Sequence, residues 1–301
     1  MRIKKFVFFT MIWALLVACS GSTIENPTDR FMAGKKLSIV ESKKLEEISG
    51  GAASANNPGL LWVHNDSGNP AEIYLVNEKL SVLFTCSLPV ENRDWEDIAV
   101  GPGPEEGKNY IYLGEIGDNS SRYDTKYIYR FEEPKWDQEA LQVALTDIDT
   151  ISFKLEGKKK DTETLFLDHV TKDLYIISKR DEPVWLYKIK YPYATDTLIE
   201  AQKVFSLPFV QIVGGDMRPG NKGLLLKNYE HIYFWENDSN LPVAELLKEK
   251  PLEVPYELEP QGESIMWARD DSGFYTVSEK NLGKTSYLYL YEYMQQRRAG
   301  Q

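Results

Sequence analysis

Three glutamates stand at the same place in three similar segments of this 301-residue chain. Glu96, Glu163 and Glu263 each open a short run that changes from polar to apolar, as in Trp95-Glu96-Asp97-Ile98-Ala99. If the segments fold alike, the three carboxylates lie together, and like charges in one place need a cation, a shifted pKa or water. Such carboxylates either bind a hard cation such as Ca²⁺ or pair with lysine and arginine around a polar ligand.

If the similar segments are arranged around one axis, the polar residues that follow neighbouring apolar runs should lie at the same end of that axis as the glutamates. We call this end the axial mouth. In one hypothesis Glu96, Glu163 and Glu263 hold Ca²⁺ with help from amide and carboxylate oxygens; in another the carboxylates pair with lysines and line a mouth for a ligand or partner. A third interpretation is that these residues only cap strands. The ring is incomplete, because Ser49 and Gly215 take the equivalent positions in two segments. The candidate ligand-binding residues are Asn65, Asp66, Glu96, Asp97, Asp118, Asn119, Glu163, Lys179, Lys227, Glu263 and Glu279.

These segments belong to a repeat of about fifty residues. The chain has 18 Tyr, 12 Phe and 7 Trp, and short apolar runs alternate with clusters of Gly, Asn, Asp and Pro, as in β-rich proteins. Each of five runs is preceded by one strand-like segment and followed by another, and four of them have a fourth. The pattern predicts an all-β chain folded as a β-propeller. The spacings are 50, 63, 50 and 50 residues, measured at Trp62, Tyr112, Tyr175, Leu225 and Tyr275.

Five repeats predict five blades. Six blades are the alternative, because the 63-residue interval could hold a degenerate one. The fifth repeat ends without a fourth strand, so we expect residues 36–40 to supply it beside 287–291. Joining the two chain ends in one blade removes an open sheet edge. A two-sheet sandwich fits the regular spacing poorly.

Five motifs carry a resemblance to a known group of proteins. They are LWVHNDSG at 61–68, DWEDIA at 94–99, GEIGDN at 114–119, IYRF at 128–131 and QGESI at 261–265. Over nearly its whole mature length the chain resembles bacterial β-propeller proteins that include the SdiA-regulated and esterase-like-phytase families. This resemblance implies the fold rather than an activity. Calcium-dependent lactonase and phytase propellers use their metal to polarise an ester or phosphate oxygen.

The first residues have the pattern of an exported lipoprotein. A basic start precedes an apolar run over 6–17, which is shorter than the roughly 20 residues of a membrane-spanning helix. The junction Leu16-Val17-Ala18-Cys19 resembles the lipobox of bacterial lipoproteins. Residues 1–18 are therefore predicted to be a signal peptide and Cys19 the lipid-bearing residue. Ser20 is compatible with sorting to the outer membrane of a bacterial cell envelope.

The rest of the chain is predicted to be a tether and one folded body. Residues 19–35 are polar and read as a flexible linker, and residues 36–301 as a single propeller domain. The net charge is −11, and it becomes about −14 once the three basic side chains of the signal are removed. A nucleic acid or an anionic lipid surface would be repelled by that charge. Cys86 lies in an apolar run and is expected to be a buried thiol.

Several common chemistries have no counterpart in this sequence. There is no Gly-x-Ser-x-Gly elbow, phosphate-binding loop, dinucleotide fingerprint or Cys-x-x-Cys pair. The three histidines stand at unmatched positions, which argues against a zinc triad. We therefore predict a membrane-anchored, extracytoplasmic propeller that binds a small molecule or an envelope protein, with the Cys19 lipid contacting the membrane. The alternative is a divalent-metal-assisted hydrolase of esters, lactones or phosphate esters.

Overall fold

The computed structural model describes residues 30–281 and 283–294, and nearly all of its regular structure is strand. The strands are β1 Lys35–Ile39, β2 Ile48–Ala53, β3 Leu61–Asn65, β4 Glu72–Val76, β5 Val82–Ser87, β6 Trp95–Pro102, β7 Asn109–Glu115, β8 Lys126–Glu132, β9 Gln142–Ala144, β10 Asp149–Leu155, β11 Thr162–Leu167, β12 Leu174–Ser178, β13 Val184–Ile189, β14 Ile199–Leu207, β15 Gly214–Met217, β16 Gly223–Lys227, β17 Ile232–Glu236, β18 Leu252–Val254, β19 Ser264–Trp267, β20 Gly273–Val277 and β21 Tyr287–Glu292. The helical segments are α1 Val243–Leu246 and two 3-10 turns at Lys43–Leu45 and Pro219–Asn221.

Strands form where aromatic and branched apolar residues run between turn residues. Strand β7 contains Tyr110, Ile111, Tyr112 and Leu113, all of which are buried. Side chains of these types fit a pleated surface that is covered by neighbours. The turn before β7 contains Gly107 with a φ of 78°, a backbone conformation that glycine adopts without steric cost.

The strands pair into five antiparallel units of four strands each. Unit 1 contains β2 to β5, unit 2 contains β6, β7, β8 and β10, and unit 3 contains β11 to β14. Unit 4 contains β15 to β18, and unit 5 contains β19, β20, β21 and β1. The outer strands β10 and β14 also pair in parallel, which joins units 2 and 3 into one eight-stranded sheet.

The innermost strands contact one another in a closed ring. Strand β2 contacts β6, β6 contacts β11, β11 contacts β15, β15 contacts β19, and β19 returns to β2. Five apolar clusters fill the spaces between neighbouring units. The Phe234 and Trp267 rings, for example, stack at 5.6 Å between units 4 and 5. The predicted β-propeller is confirmed, and the count of five blades is our interpretation of this pairing.

The 63-residue interval of the repeat, between Tyr112 and Tyr175, holds an extra strand. Its excess residues cross to unit 1, where β9 pairs in parallel with β5 at Thr85, Cys86 and Ser87. The crossing segment is fixed by Glu133, whose buried carboxylate accepts hydrogen bonds from Trp62 Nε1 at 2.9 Å and Ser54 Oγ at 2.5 Å. The described residues form no sixth four-stranded unit in this interval. Cys86 is fully buried, as expected.

The N-terminal strand closes the last unit, as the sequence predicts. Strand β1 pairs with β21 in antiparallel register, with Lys35 opposite Leu290 and Ile39 opposite Tyr287, one residue earlier than expected. The end of the predicted tether differs from expectation, because Phe31 is only 1% exposed and packs edge-on against Phe234. The signal, Cys19 and most of the tether lie outside the described residues. Within the described part of the chain, no helix has the length and apolar character needed to cross a membrane.

Candidate functional site

The pairing register identifies the equivalent residues at the start of each inner strand. In units 1, 2 and 3 the register shifts at this position, between Ile48 and Gly50, Trp95 and Asp97, and Thr162 and Thr164. Such a bulge re-aims the extra side chain and is common beside functional sites. In chain order the equivalent residues are Ser49, Glu96, Glu163, Val213 and Glu263.

The predicted place of Gly215 in this ring is wrong. Gly214 pairs with Lys227, and Ser264 pairs with Val277 fifty residues later, so the residue equivalent to Glu263 is Val213. Val213 is buried and apolar. The acidic ring is therefore interrupted in unit 4 by a hydrophobic side chain.

A second set of equivalent residues follows the neighbouring strand of each unit. It faces the same end of the axis, because the second strand runs antiparallel to the inner one. Four of its five members are charged or hydroxylated. In chain order they are Asp66, Ile116, Lys179, Tyr229 and Glu279.

Members of both sets line one cavity of about 410 Å³ at this end of the axis. Its walls are almost wholly polar, which suits a hydrophilic ligand. Six of the predicted site residues face it. The lining residues are Asp66, Glu96, Asn119, Glu163, Lys179, Arg180, Tyr229, Pro260, Gln261 and Glu263.

Lys179 crosses the mouth of the cavity and neutralises one side of it. Its Nζ lies 2.8 Å from Glu163 Oε1 in its own unit and 3.4 Å from Glu263 Oε1 in unit 5, which is not adjacent to unit 3. Tyr229 donates its hydroxyl to the same Glu263 oxygen at 2.6 Å. Burial lowers the pKa of Lys179, but Glu163 and Glu263 outweigh it and raise the pKa above its usual range. The lysine therefore stays charged.

Glu96 lies on the other side of the cavity and takes part in two groups of carboxylates. Asp66, Asp94 and Glu96 place ligand oxygens within 4.8 Å of one another, and so do Glu96, Asp161 and Glu163. Glu263 joins neither group, so the predicted metal set of Glu96, Glu163 and Glu263 does not come together as three ligands. Oxygen donors at this spacing fit a hard cation such as Ca²⁺.

The cavity carboxyls hold protons unusually strongly. Burial, followed by the charge of Glu163, raises the pKa of Glu96 well above its usual range. Burial raises the pKa of Glu163 to about 7 against the opposing charge of Lys179. Burial likewise raises the pKa of Asp66 to about 6 and that of Glu279 to about 8. Part of this acidic group is therefore protonated near neutral pH.

Arg180 forms the rim of the cavity. Its Nε donates to Asp161 Oδ2 at 2.7 Å, and its Nη2 donates to Asn119 Oδ1. Asp161 also accepts the backbone N–H of Asp118 at 2.9 Å, while the Asp118 carboxylate accepts those of Arg122 and Tyr123. Asp118 therefore holds the rim loop in shape and does not line the cavity.

Four other predicted site residues also lie outside the cavity lining. Asp97 accepts from Leu165 N at 3.0 Å and ties unit 2 to unit 3, and Asn65 donates to Lys44 O at 2.8 Å. The fully buried Lys227 bonds Glu259 Oε2 at 2.6 Å. Glu279 is buried beyond the lining, where Glu263 and Asp66 raise its pKa after burial does. Asp97 and Asn65 are each next in sequence to a lining residue, Glu96 and Asp66 respectively. Side chains alternate across a strand, so such neighbours face opposite directions.

Sequence reasoning missed several functional residues. Tyr229 and Gln261 line the cavity, and Asp94 and Asp161 supply carboxylates behind it. A signal for Tyr229 was present, since it follows Lys179 by the repeat spacing of fifty residues. Asp94 and Asp161 each precede an inner-strand glutamate by two residues, and this shared spacing is the sequence signal for both.

The opposite end of the axis is closed by Arg269. This side chain from unit 5 donates from Nε to Ala53 O of unit 1 at 3.0 Å and from Nη2 to Val100 O of unit 2 at 2.5 Å. Units 5 and 2 are not adjacent, so the guanidinium group crosses the axis. Asp216 of unit 4 adds a favourable charge. Arg269 thus bridges units 1, 2 and 5 at this end of the axis.

Comparison with known proteins finds likeness in structure but none in sequence. No protein-family model matches the chain, and no curated protein matches it. Among solved structures it is similar to the β-propeller domain of Myceliophteria thermophila Cps50 (Swd1), at 11% identity and a TM-score of 0.44, over 85% of this chain and 99% of that one. The propeller assignment for this chain follows from its strand pairing and its ring of inner strands.

Proposed function

We propose that the protein is a membrane-anchored, extracytoplasmic binding module that takes a small polar ligand in its axial cavity. The observation that carries the proposal is the convergence of polar side chains from all five units on this one cavity. Asp66 comes from unit 1, Glu96 from unit 2, Lys179 from unit 3, Tyr229 from unit 4 and Glu263 from unit 5. A concave site with convergent polar groups and shifted pKa values is the usual form of a ligand site.

Binding is tested with the full chain purified in a mild detergent. Its melting temperature is measured against cationic, neutral and anionic polar compounds, and hits are confirmed by calorimetry. We expect at least one compound to raise the melting temperature and to lose most of that effect in Tyr229→Phe, which removes only the hydroxyl facing Glu263. The matched control is Tyr191→Phe, a partly exposed tyrosine outside the cavity lining. If no compound acts, or if both variants behave alike, the proposal is wrong.

The membrane anchor is a separate part of the proposal and rests on the Leu-Val-Ala-Cys junction at 16–19. In a bacterial host, Cys19→Ala removes the thiol that takes the lipid. We expect radiolabelled palmitate to enter the wild type and Cys86→Ala but not Cys19→Ala, and only Cys19→Ala to leave the membrane fraction. Cys86→Ala is the control, because Cys86 is buried in the folded body. Equal labelling of the wild type and Cys19→Ala would rule out lipidation at this residue.

A second candidate is metal-assisted hydrolysis of esters, lactones or phosphate esters, favoured by the carboxylate groups around Glu96. Asp66, Asp94 and Glu96 would hold a divalent cation, which when bound would polarise a substrate oxygen. Glu163 suits this role less, because Lys179 already neutralises it. Metal analysis of protein purified with and without EDTA, followed by ester, lactone and phosphate-ester assays with Ca²⁺, distinguishes this candidate from a binding module.

A further inference from the structure

The two sides of the axial cavity differ in their balance of charge. On one side Lys179 contacts both Glu163 and Glu263. On the other side the lining residues Asp66 and Glu96 come together with Asp94, whose carboxylate lies directly behind the lining. Among residues 30–281 and 283–294, these three carboxylates form no salt bridge within 4.0 Å. We call these three residues the open triad.

Glu96 is the member of the open triad whose ionisation is opposed most strongly by its surroundings. It is only 4% exposed, yet it lines the cavity. The charges of Glu163, Asp66 and Glu263 all oppose its ionisation. A buried carboxylate without a cation is costly. The cavity is therefore arranged to receive positive charge at this point.

We propose that the ligand of the axial cavity carries a protonated primary amine that binds between Asp66, Asp94 and Glu96. This inference rests on the proposed binding function and names the class of ligand. An ammonium group has three N–H donors, and the open triad offers one carboxylate for each. Hydrogen bonds between charged partners are the strong ones in proteins.

The remainder of the cavity indicates a hydrophilic organic molecule rather than an ion alone. A volume of about 410 Å³ lies in the range of small-molecule sites. Beyond the open triad its walls offer the amides of Asn119 and Gln261, both donor and acceptor groups. The ring of Tyr229 adds an aromatic surface, over which Lys179 Nζ lies 5.4 Å from the centroid. The chemistry that fits is an amine bearing hydroxyl or amide groups.

The test uses the full chain and three probes: D-glucosamine, ethanolamine and L-lysine amide. Each is compared with its fully N-acetylated counterpart, which keeps the skeleton and loses the charge. We expect at least one amine to bind by calorimetry, and its acetylated form to bind at least about tenfold more weakly. Asp66→Asn and Glu96→Gln should each weaken binding of the amine by a similar factor. The control is Asp196→Asn, an exposed carboxylate outside the cavity lining.

Each other outcome overturns the inference. Equal binding of an amine and its acetylated form, or equal binding by Asp66→Asn and Asp196→Asn, would show that the open triad does not hold the ammonium group. Stabilisation by Ca²⁺ through Asp66, without any effect of the amines, would assign the triad to a metal. A neutral or anionic compound that binds through Tyr229, again without any effect of the amines, would leave the binding module standing and remove only the amine.

Discussion

The two ends of the propeller axis are built in opposite ways. At one end Arg269 crosses the axis and donates to the carbonyl oxygens of Ala53 and Val100, so its donors meet backbone acceptors. At the other end Lys179 crosses the mouth, but the acidic side chains there outnumber it. One end is a closed structural junction, and the other holds charge that the fold itself does not balance.

We therefore expect the two ends to contribute differently, the Arg269 end to stability and the cavity end to binding. Buried polar groups whose partners are complete stabilise a fold, whereas incomplete ones are costly and mark binding sites. The Arg269 end is expected to lose stability when it is changed. The cavity end is expected to respond chiefly to pH and to ligands, and some changes there should increase stability.

The largest expected effect is that of Arg269→Met. The variant leaves the carbonyls of Ala53 and Val100 without this donor and removes a favourable charge from Asp216. We expect the free energy of unfolding to fall by about 4 kcal/mol, as when one partner of a buried polar junction is lost. Urea unfolding followed by tryptophan fluorescence measures it. Arg122→Met on an exposed loop is the control and should change stability little; equal losses would mean that Arg269 does not close the axis.

The next largest effect is that of Lys179→Met at the cavity end. Glu163 and Glu263 then lose their shared cation, and we expect a loss of about 3 kcal/mol near neutral pH. Adding Glu163→Gln should restore part of the loss, because one of the stranded charges is gone. Lys248→Met, in an exposed pair with Glu245, is the control for a surface salt bridge. The same urea unfolding measures all variants, and no restoration in the double variant would contradict this account of Lys179.

The propeller and six of the ten residues that line the cavity could be predicted because the repeat carries them. The spacing of fifty residues survives in every unit except where β9 is inserted, so aligned positions in sequence are aligned in space. Glu96, Glu163 and Glu263 were found in this way, and so was Lys179. Each of these residues lies at an end of a strand, and the position of a strand end can be predicted from the periodicity of the local sequence.

The choice among the candidate lysine partners of these carboxylates could not be predicted, because it depends on register and on loops outside the repeat. Lys227 was placed at the mouth, but it pairs with Gly214, and its Nζ reaches Glu259 in the connection before β19. The choice of Lys179 as the cation shared by Glu163 and Glu263 depends on a contact across the axis. The order of residues along the chain does not indicate that Lys179 and Glu263 come within 3.4 Å of each other.

The pH dependence of stability tests whether the cavity end differs from the Arg269 end as we expect. A carboxyl with a raised pKa keeps a proton in the folded protein that the unfolded chain releases, so the free energy of unfolding falls as pH rises through the folded pKa. This holds for Glu163 at about 7 and Glu279 at about 8. Burial lowers the pKa of His64 to about 4 and that of His169 to about 3, and these oppose the trend only below about pH 6.5. Burial lowers the pKa of Lys126 to about 8, and it opposes the trend above that pH.

The informative range therefore lies between about pH 6.5 and about pH 8. Across it we expect the free energy of unfolding to fall by roughly 2 kcal/mol, because about 1.4 kcal/mol corresponds to one pKa unit of one group. Urea unfolding curves at closely spaced pH values measure the slope. A flat or rising curve in this range would mean that the cavity carboxyls are not protonated in the folded protein.

The smallest effect tests a single carboxyl. Glu279 is 8% exposed, and its Oε1 has no hydrogen-bond partner among the described residues. Burial, then the charges of Glu263 and Asp66, raise its pKa to about 8. Glu279→Gln keeps the shape and removes the titration. The variant should therefore be more stable than the wild type at both pH 6.5 and pH 8, and its advantage should grow by about 1.5 kcal/mol from the lower pH to the higher.

The control for this variant is Glu245→Gln, an exposed carboxylate on the short helix α1, which should leave the slope of stability against pH unchanged. Glu279→Gln should reduce that slope without abolishing it, because Glu163 still titrates at about 7. If Glu279→Gln destabilised the protein at both pH values, the Glu279 carboxylate would be contributing a favourable interaction. Its charge would then belong to the balanced, structural part of the axis, as the Arg269 end does, and not to the excess that awaits a ligand.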